Sequence, residues 1–400
     1  MYYLHHYFDP DFSHMHLAPE QGAGGSANQR YLGYVQNVVA GQVLAEMIDL
    51  EVFPDIPRDP RFTYQERYLP VGPNCALHPE NQDKIIARAN GYCFYHKGLI
   101  NVKKLLNVRG HLGFRTGSIF FVGDMAVHGD IQTGFSAMAR NLLVRGHIES
   151  AKVKAAGDIV CTAGVKGTNT SAIEEEPTGK IVYEPVPDTL LDCGGSIRLP
   201  FCEHAQLRAR GNVIIDGHCL HSTLYVGGNL IIKGRLQGGA TYANSIVYVE
   251  GQLGSDYTTA TRICMGYDPF GFLALQKLEN QIRYLKDKFL YFEKQSARNQ
   301  VMEQEFRPRI DLVRRKLKIA HARRNDLWRK FAEDEQNAGK CRVIAPGKIM
   351  AGTEISIGRA FMDIAADSAN QAFLLGENEI ISRSPAVPHG REDQAGAWMT

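Results

Sequence analysis

The sequence predicts a mainly β chain: a parallel β-helix of stacked short coils, interrupted by one inserted helical hairpin and preceded by a small N-terminal region. Two observations carry this reading. Residues 207–219, 224–236 and 241–253 superimpose with an offset of 17, and apolar and polar residues alternate within each segment, the period of a strand with one buried face. After residue 269 the apolar spacing changes to threes and fours, the period of a helix with one apolar stripe.

The repeat aligns column by column. Leu207, Leu224 and Thr241 share one slot, Ala209, Val226 and Ala243 the next, then Val213, Leu230 and Val247, then Ile215, Ile232 and Val249. Gly217, Gly234 and Gly251 close the runs, followed by Cys219, Leu236 and Leu253. Looser copies come earlier: Ile119, Phe121, Gly123, Met125, Val127 and Gly129; then Ala137, Ala139, Leu143, Gly146 and Ile148; then Val153, Ala155, Gly157, Ile159 and Cys161. Ile100 to Gly110 begins the series, which gives about seven coils before residue 260 and an eighth near 197–201. One such coil cannot bury its inward face alone, so successive coils must stack into a continuous core. The recurrent glycines fit corners where a Cβ would not.

In the helical segment Leu275, Leu278, Ile282, Leu285, Phe289 and Phe292 form one seam, and Phe306, Ile310, Val313, Leu317, Ala320, Leu327 and Phe331 a second. Pro308 disfavours a helical residue before it, so the junction of two antiparallel coiled-coil arms is expected near it. Strand character resumes over 343–357 and 373–381. The expected organisation is a flexible tail over 1–30, a small region over 31–98, β-helix over 99–268, coiled-coil hairpin over 269–338, β-helix completion over 339–381 and a polar tail over 382–400. Pro- and Glu-rich residues interrupt the repeats at 166–196.

Composition narrows the function classes. Lys plus Arg number 45 against 43 Asp plus Glu, a net +2, so no global field draws nucleic acid or membrane. The 39 glycines and 44% hydrophobic content fit a folded chain rich in turns. The eight cysteines fall singly, without a C-x-x-C pair, which predicts reduced, buried thiols. The sequence shows no basic leader at its start and no apolar run of about 18 residues, so a cytoplasmic location is expected.

Parallel β-helices also carry polysaccharide lyases and hydrolases, whose chemistry needs carboxylates converging on an exposed face. Asp124, Asp130 and Asp158 are the candidates. Asp124 and Asp158, however, share the slot of Asn212 and Asn229 after a corner glycine, where a turn favours Asp or Asn. A hexapeptide-repeat acyltransferase would show a strict period of six, whereas one six-residue Gly step occurs per coil; His128, His147 and His218 flank corners and suit turns. His5, His6, His14 and His16 form two close pairs with nothing to fix a metal geometry. No P-loop, G-x-G-x-x-G at a strand–helix junction or G-x-S-x-G elbow occurs. No catalytic residue, cofactor or metal is assigned.

The order of motifs carries a resemblance. Leu69-Pro70-Val71-Gly72 through His78-Pro79-Glu80-Asn81, Phe120-Phe121-Val122-Gly123-Asp124 with Val127-His128-Gly129-Asp130-Ile131, and Ala205-Gln206-Leu207-Arg208-Ala209-Arg210-Gly211-Asn212-Val213 resemble the flagellar assembly protein A family. So do Gly227-Gly228, Gly238-Gly239, Gly254-Ser255 and Gly266-Tyr267-Asp268-Pro269 leading into a helical hairpin. The similarity spans roughly 31–381. It implies a right-handed β-helix, a coiled-coil insertion and a non-enzymatic role as a scaffold in flagellar assembly or polar organisation. The alternative kept open is a self-polymerising, bactofilin-like cytoskeletal β-helix; a β-helix lyase or hydrolase ranks below both.

Charge on the second helical arm has two readings. From Arg309 to Lys330 nine basic residues stand against Asp311 and Asp326, a net +7: either a solvated helix face partly neutralised by Glu279, Glu293, Glu303 and Glu305, or a docking surface for an acidic partner or anionic membrane, since the excess is more than pairing alone uses. Arg314, Arg315, Arg323 and Arg329 lie outside the apolar seam and are the candidate partner-binding residues; Arg324 falls on the seam. The partner expected is a protein, acidic or at the cell pole. Nucleic acid is not expected, and an anionic membrane surface and oligomerisation stay open.

Overall fold

A computed structural model of the chain describes residues 1–14, 17, 20–21, 27–28, 30–175, 181–255, 259–297 and 300–385. They group into two compact units, Met1–Asn169 with Pro187–Arg210, and Thr170–Val186 with Gly211–Thr400.

The first unit opens with an antiparallel five-stranded sheet in which Tyr2–His6 pairs with both Val43–Asp49 and Thr63–Tyr64. The expected tail over 1–30 therefore does not start at residue 1. Leu4 is fully buried and packs with Leu44, Met47 and Ile85. Its partner Met47 is distant in sequence, so no local pattern announces the strand. His16 lies outside the described residues. A smaller antiparallel sheet joins Asn37–Val38, Gly91–His96 and Leu99–Lys103.

Parallel coils follow, each contributing to three buried columns. Leu106, Met125, Leu142, Ile159 and Ile197 stack in register as the first. Ile119, Ala137, Val153, Leu191 and Leu207 form the second. Leu112, Ile131, Ile148, Val165 and Cys202 form the third. All fifteen are buried, which removes the inward faces from water as the repeat requires.

Two sequence readings need correction here. The buried residues of the Leu142–Val144 strand are Leu142 and Val144, with Leu143 half-exposed. Three successive apolar residues leave the register ambiguous by one, and a slip of one exchanges faces. The interruption is also shorter than 166–196, since Thr189–Cys193 and Ile197–Leu199 already pair in the parallel coils. Between them and the preceding coil, Asn169–Glu175 and Ile181–Pro187 form a two-stranded sheet. Glu176 and Pro177 lie outside the described residues.

The second unit repeats the construction. Val213, Leu230, Val247 and Val343 stack in register, as do Leu224, Thr241, Ile263 and Ile355 and Cys219, Leu236, Leu253 and Ile349. The offset of 17 between the last two full repeats is thus the spacing of one coil. Gly251 shows why the corner slot is fixed: a Cβ there would fall on the Gly234 carbonyl of the coil before, and one on Gly234 would fall on Gly217. After Thr353–Ile357 the pairing turns antiparallel, Arg342–Ile349 with Ser368–Leu375, Thr353–Ile357 with Ala360–Asp363, and Ser368–Leu375 with Ile380–Arg383.

Two α-helices interrupt this stack, α1 (Pro269–Ser296) and α2 (Gln300–Asp334). Asp268 caps α1 by accepting from the Phe270 and Gly271 N–H groups, with Pro269 at the first helical position. The junction is not at Pro308: α1 ends at Ser296 and α2 begins at Gln300, so Pro308 sits inside α2. Pro308 is exposed, and the adjacent Phe306 and Ile310 pack against α1. That packing holds the helix through the position despite the missing N–H.

Candidate functional site

The hairpin is fixed to the coils that carry it. Tyr225 and Tyr242, neighbours in register on successive coils, stack with centroids 4.9 Å apart, and Phe272 of α1 continues the stack 4.6 Å from Tyr242. Tyr225 Oη and Gln276 Oε1 lie 3.1 Å apart, and Tyr267 meets Phe331 of α2 edge-on at 5.7 Å. Aromatic contacts of this geometry add to the burial of the rings.

Both seams read from the sequence pack against each other. Leu285, Phe292, Ile310 and Val313 form one buried cluster with Phe289, Phe306 and Leu317 beside it. Leu278, Ile282 and Ala320 form another with Leu327. Arg324 on the seam is half-buried and its Nε has no hydrogen-bond partner among the described residues.

The four candidate arginines are all exposed, but they do not share one side of α2. Arg314 lies over the Phe289 ring of α1 at 5.7 Å and 3.5 Å from Asp311. Arg315 Nε donates to the Asp311 carbonyl at 3.4 Å, and Arg329 pairs with Asp326 at 3.0 Å. Arg323 instead lines a groove between the two helices, about 440 Å³, together with Lys277, Gln281, Asp326 and Lys330 over Leu278 and Leu327. Exposed pairs of this kind contribute little to stability. Linear sequence gave the arginines; their separation into sides needs the phase of both helices at once.

The carboxylates considered for catalysis are engaged in the architecture. Asp124 accepts from Arg140 and from Asn141 Nδ2, the latter at 2.8 Å, and the Arg140 hydrogen bonds hold its carboxyl below the usual carboxylate range. Asn141 Oδ1 accepts from the Asp158 N–H at 2.9 Å, and Asp158 Oδ1 from the Ser196 N–H at 2.7 Å. Asn212 and Asn229 repeat the pattern in the second unit, accepting from Asn229 N–H and Ile246 N–H. The slot therefore bonds the next coil rather than its own turn. Asp130 accepts from the His147 N–H at 2.7 Å and lies 3.0 Å from His111 Nδ1.

Burial pushes the Cys93 and Cys193 thiols up to about 12 and Cys75 up to about 11. His5 and His6, adjacent on one strand, point to opposite faces, and His6 packs among Phe8, Phe62 and Tyr95. Among the described residues no group of three or more His, Cys, Asp or Glu side chains could hold a metal ion. No described helix is long and apolar enough to cross a membrane.

A mainly β chain of parallel coils, carrying an inserted pair of helices, defines a β-solenoid protein. The family model of the Flagellar Assembly Protein A beta solenoid domain matches residues 104–380, and the chain belongs to that family, a family of assembly proteins. Among curated proteins nothing matches, and among solved structures nothing matches.

Proposed function

We propose that the chain is a non-enzymatic cytoplasmic scaffold in flagellar assembly or polar organisation, acting through protein–protein contacts. Its right-handed β-solenoid serves as the base and its coiled-coil hairpin as the docking arm for an acidic partner. One observation carries the reading: α2 presents a net +7 between Arg309 and Lys330, and its candidate contact residues Arg314, Arg315, Arg323 and Arg329 are exposed. A surface of that sign speeds and selects association with an acidic protein. The antiparallel strands that follow Thr353–Ile357 support a scaffold over a bactofilin-like polymer, because end-to-end stacking needs an open parallel edge.

The test compares wild type, a hairpin deletion in which a Gly-Ser linker replaces residues 272–336, and a variant with Arg314, Arg315, Arg323 and Arg329 all changed to Glu. Partner capture, polar localisation and flagellation are measured in the source cells. Loss of partner and of flagella in both altered proteins, with the solenoid still folded, is the expected result. Normal flagellation and undiminished capture in both would remove the hairpin from the function.

A further inference from the structure

The positions around the inter-helix groove define a complete side of the hairpin. Paired helices return a residue to the same side every seven positions. From Lys277, seven-residue steps reach Tyr284 and Tyr291; from Asp326 they run back to Ile319 and Leu312; from Arg323 they run back to Lys316 and Arg309. Tyr284, Tyr291, Leu312 and Ile319 are 52%, 45%, 49% and 55% exposed. Four large apolar side chains in water on one side of two helices exceed the scattered exposure normal for a surface. Among the described residues, the other large apolar side chains exposed on the hairpin, Leu290 and Trp328, sit near opposite ends of it and make no such row.

Charge is arranged within the same side. Arg323 and Lys330 line the groove and Lys316 lies seven residues back from Arg323; the three have no hydrogen-bond or ion-pair partner among the described residues, while Arg309 pairs with Glu305 at 3.5 Å. The apolar residues flank the Arg309–Lys316 end of this line, the tyrosines on the α1 edge and Leu312 and Ile319 on the α2 edge, while Lys277 and Asp326 hold those edges beside Arg323 and Lys330. Resting on the reading of the hairpin as a docking arm, we propose that this groove receives one amphipathic helix of a partner protein. That helix would carry an Asp/Glu stripe over Lys316, Arg323 and Lys330 and apolar residues on both sides of the stripe. The span from Arg309 to Lys330 corresponds to about 30 Å, or a segment of some 20 helical residues. A bilayer surface fits less well: an interfacial helix offers a continuous apolar face bordered by cations, whereas here Arg323 and Lys330 line a concave groove over Leu278 and Leu327, the form of a helix-in-groove site.

Two arms test this in the full-length chain. A photo-cross-linking residue replaces Ile319, on the groove side of the hairpin, or Leu290, off that side, and adducts formed in the source cells are identified by mass spectrometry. The expected result is an Ile319 adduct to a protein segment with acidic residues at helical spacing, lost when Lys316→Glu, Arg323→Glu and Lys330→Glu are added, and no equivalent adduct at Leu290. Adducts at Leu290 alone, lipid adducts at Ile319, or indifference to charge reversal would overturn the groove while leaving a docking arm. Absence of adducts at both positions would overturn both. In the second arm, a labelled 20-residue amphipathic peptide with a Glu stripe and vesicles of 30% phosphatidylglycerol are titrated with the protein. Reversal of the three groove cations should weaken peptide binding at least roughly 30-fold and reversal of the exposed Arg283, Lys286 and Lys294 of α1, none of them among the docking residues, by less than about 3-fold. Equal effects of the two sets, or binding to vesicles and not to peptide, would refute the assignment.

Discussion

Leu230 offers the sharpest test of the stacked columns. It is fully buried between Val213 on one neighbouring coil and Val247 on the other, in register with both. Leu230→Ala deletes three carbons, a transfer loss of about 2.4 kcal/mol at roughly 0.8 kcal/mol per methylene. The backbone ladders on either side hold the coil spacing near 4.8 Å, so the walls cannot close on the gap. A residual cavity then raises the loss to about 3–4 kcal/mol, within the range for buried leucines. Ile231→Ala, on the half-exposed outward face of the same strand, should cost about 1 kcal/mol or less. Because repeat arrays need not unfold in one step, native-state hydrogen exchange over Leu230–Ile232 and Ile246–Val249 should accompany urea unfolding. A Leu230→Ala loss below about 1 kcal/mol, or an equal loss for Ile231→Ala, would refute the column and its register.

Other predictions are more local. His6 is held down to about 4, first by burial and then by the charge of His5, so the unfolded chain takes up this proton at a higher pH than the folded one. Stability contributed here is therefore present above about pH 6.5 and falls as the pH drops toward 4; His6→Asn should flatten that slope in pH-dependent thermal melts. Arg324→Leu removes a buried Nε without an acceptor from the seam and should raise stability of the hairpin by up to about 1 kcal/mol, read by helical ellipticity on heating; a lower midpoint would mean the guanidinium is satisfied. Asn229→Ala deletes the acceptor of the Ile246 N–H and should cost about 1 kcal/mol, whereas Asn229→Asp should cost less in a urea titration.

The parts legible in the sequence were those that repeat. Residues 213–253 give their columns directly because each coil there has the same length, so a fixed offset lands on the same slot. Where an insertion changes that length, as between Lys166 and Thr189, the pattern breaks and the coil of Thr189–Cys193 hides behind its Pro- and Glu-rich neighbour. The strand Tyr2–His6 escaped because its partners are distant and its Tyr-Tyr-Leu-His-His run does not alternate. Pro308 misplaced the hairpin junction because a local preference for ending a helix yielded to the packing of Phe306 and Ile310. Of the site, the charge was evident and the groove was not: an exposed Leu312 or Ile319 looks ordinary on one helix and gains meaning only beside Tyr284 and Tyr291 on the other.

The in-register pairing on either side of the hairpin has a consequence for how such a protein can change. Ile246–Tyr248 before the insertion pairs with Arg342–Ile344 after it, and Thr261–Met265 with Thr353–Ile357, so the stack closes over the gap as though the helices were absent. The attachment point then acts as a socket. Adding one heptad to each arm would lengthen the reach by about 10 Å while every coil kept its neighbours, and a different module joined between Met265 and Cys341 would inherit the same mounting. Variation in the length and surface of the arm can therefore accumulate, with the layered base left unaltered.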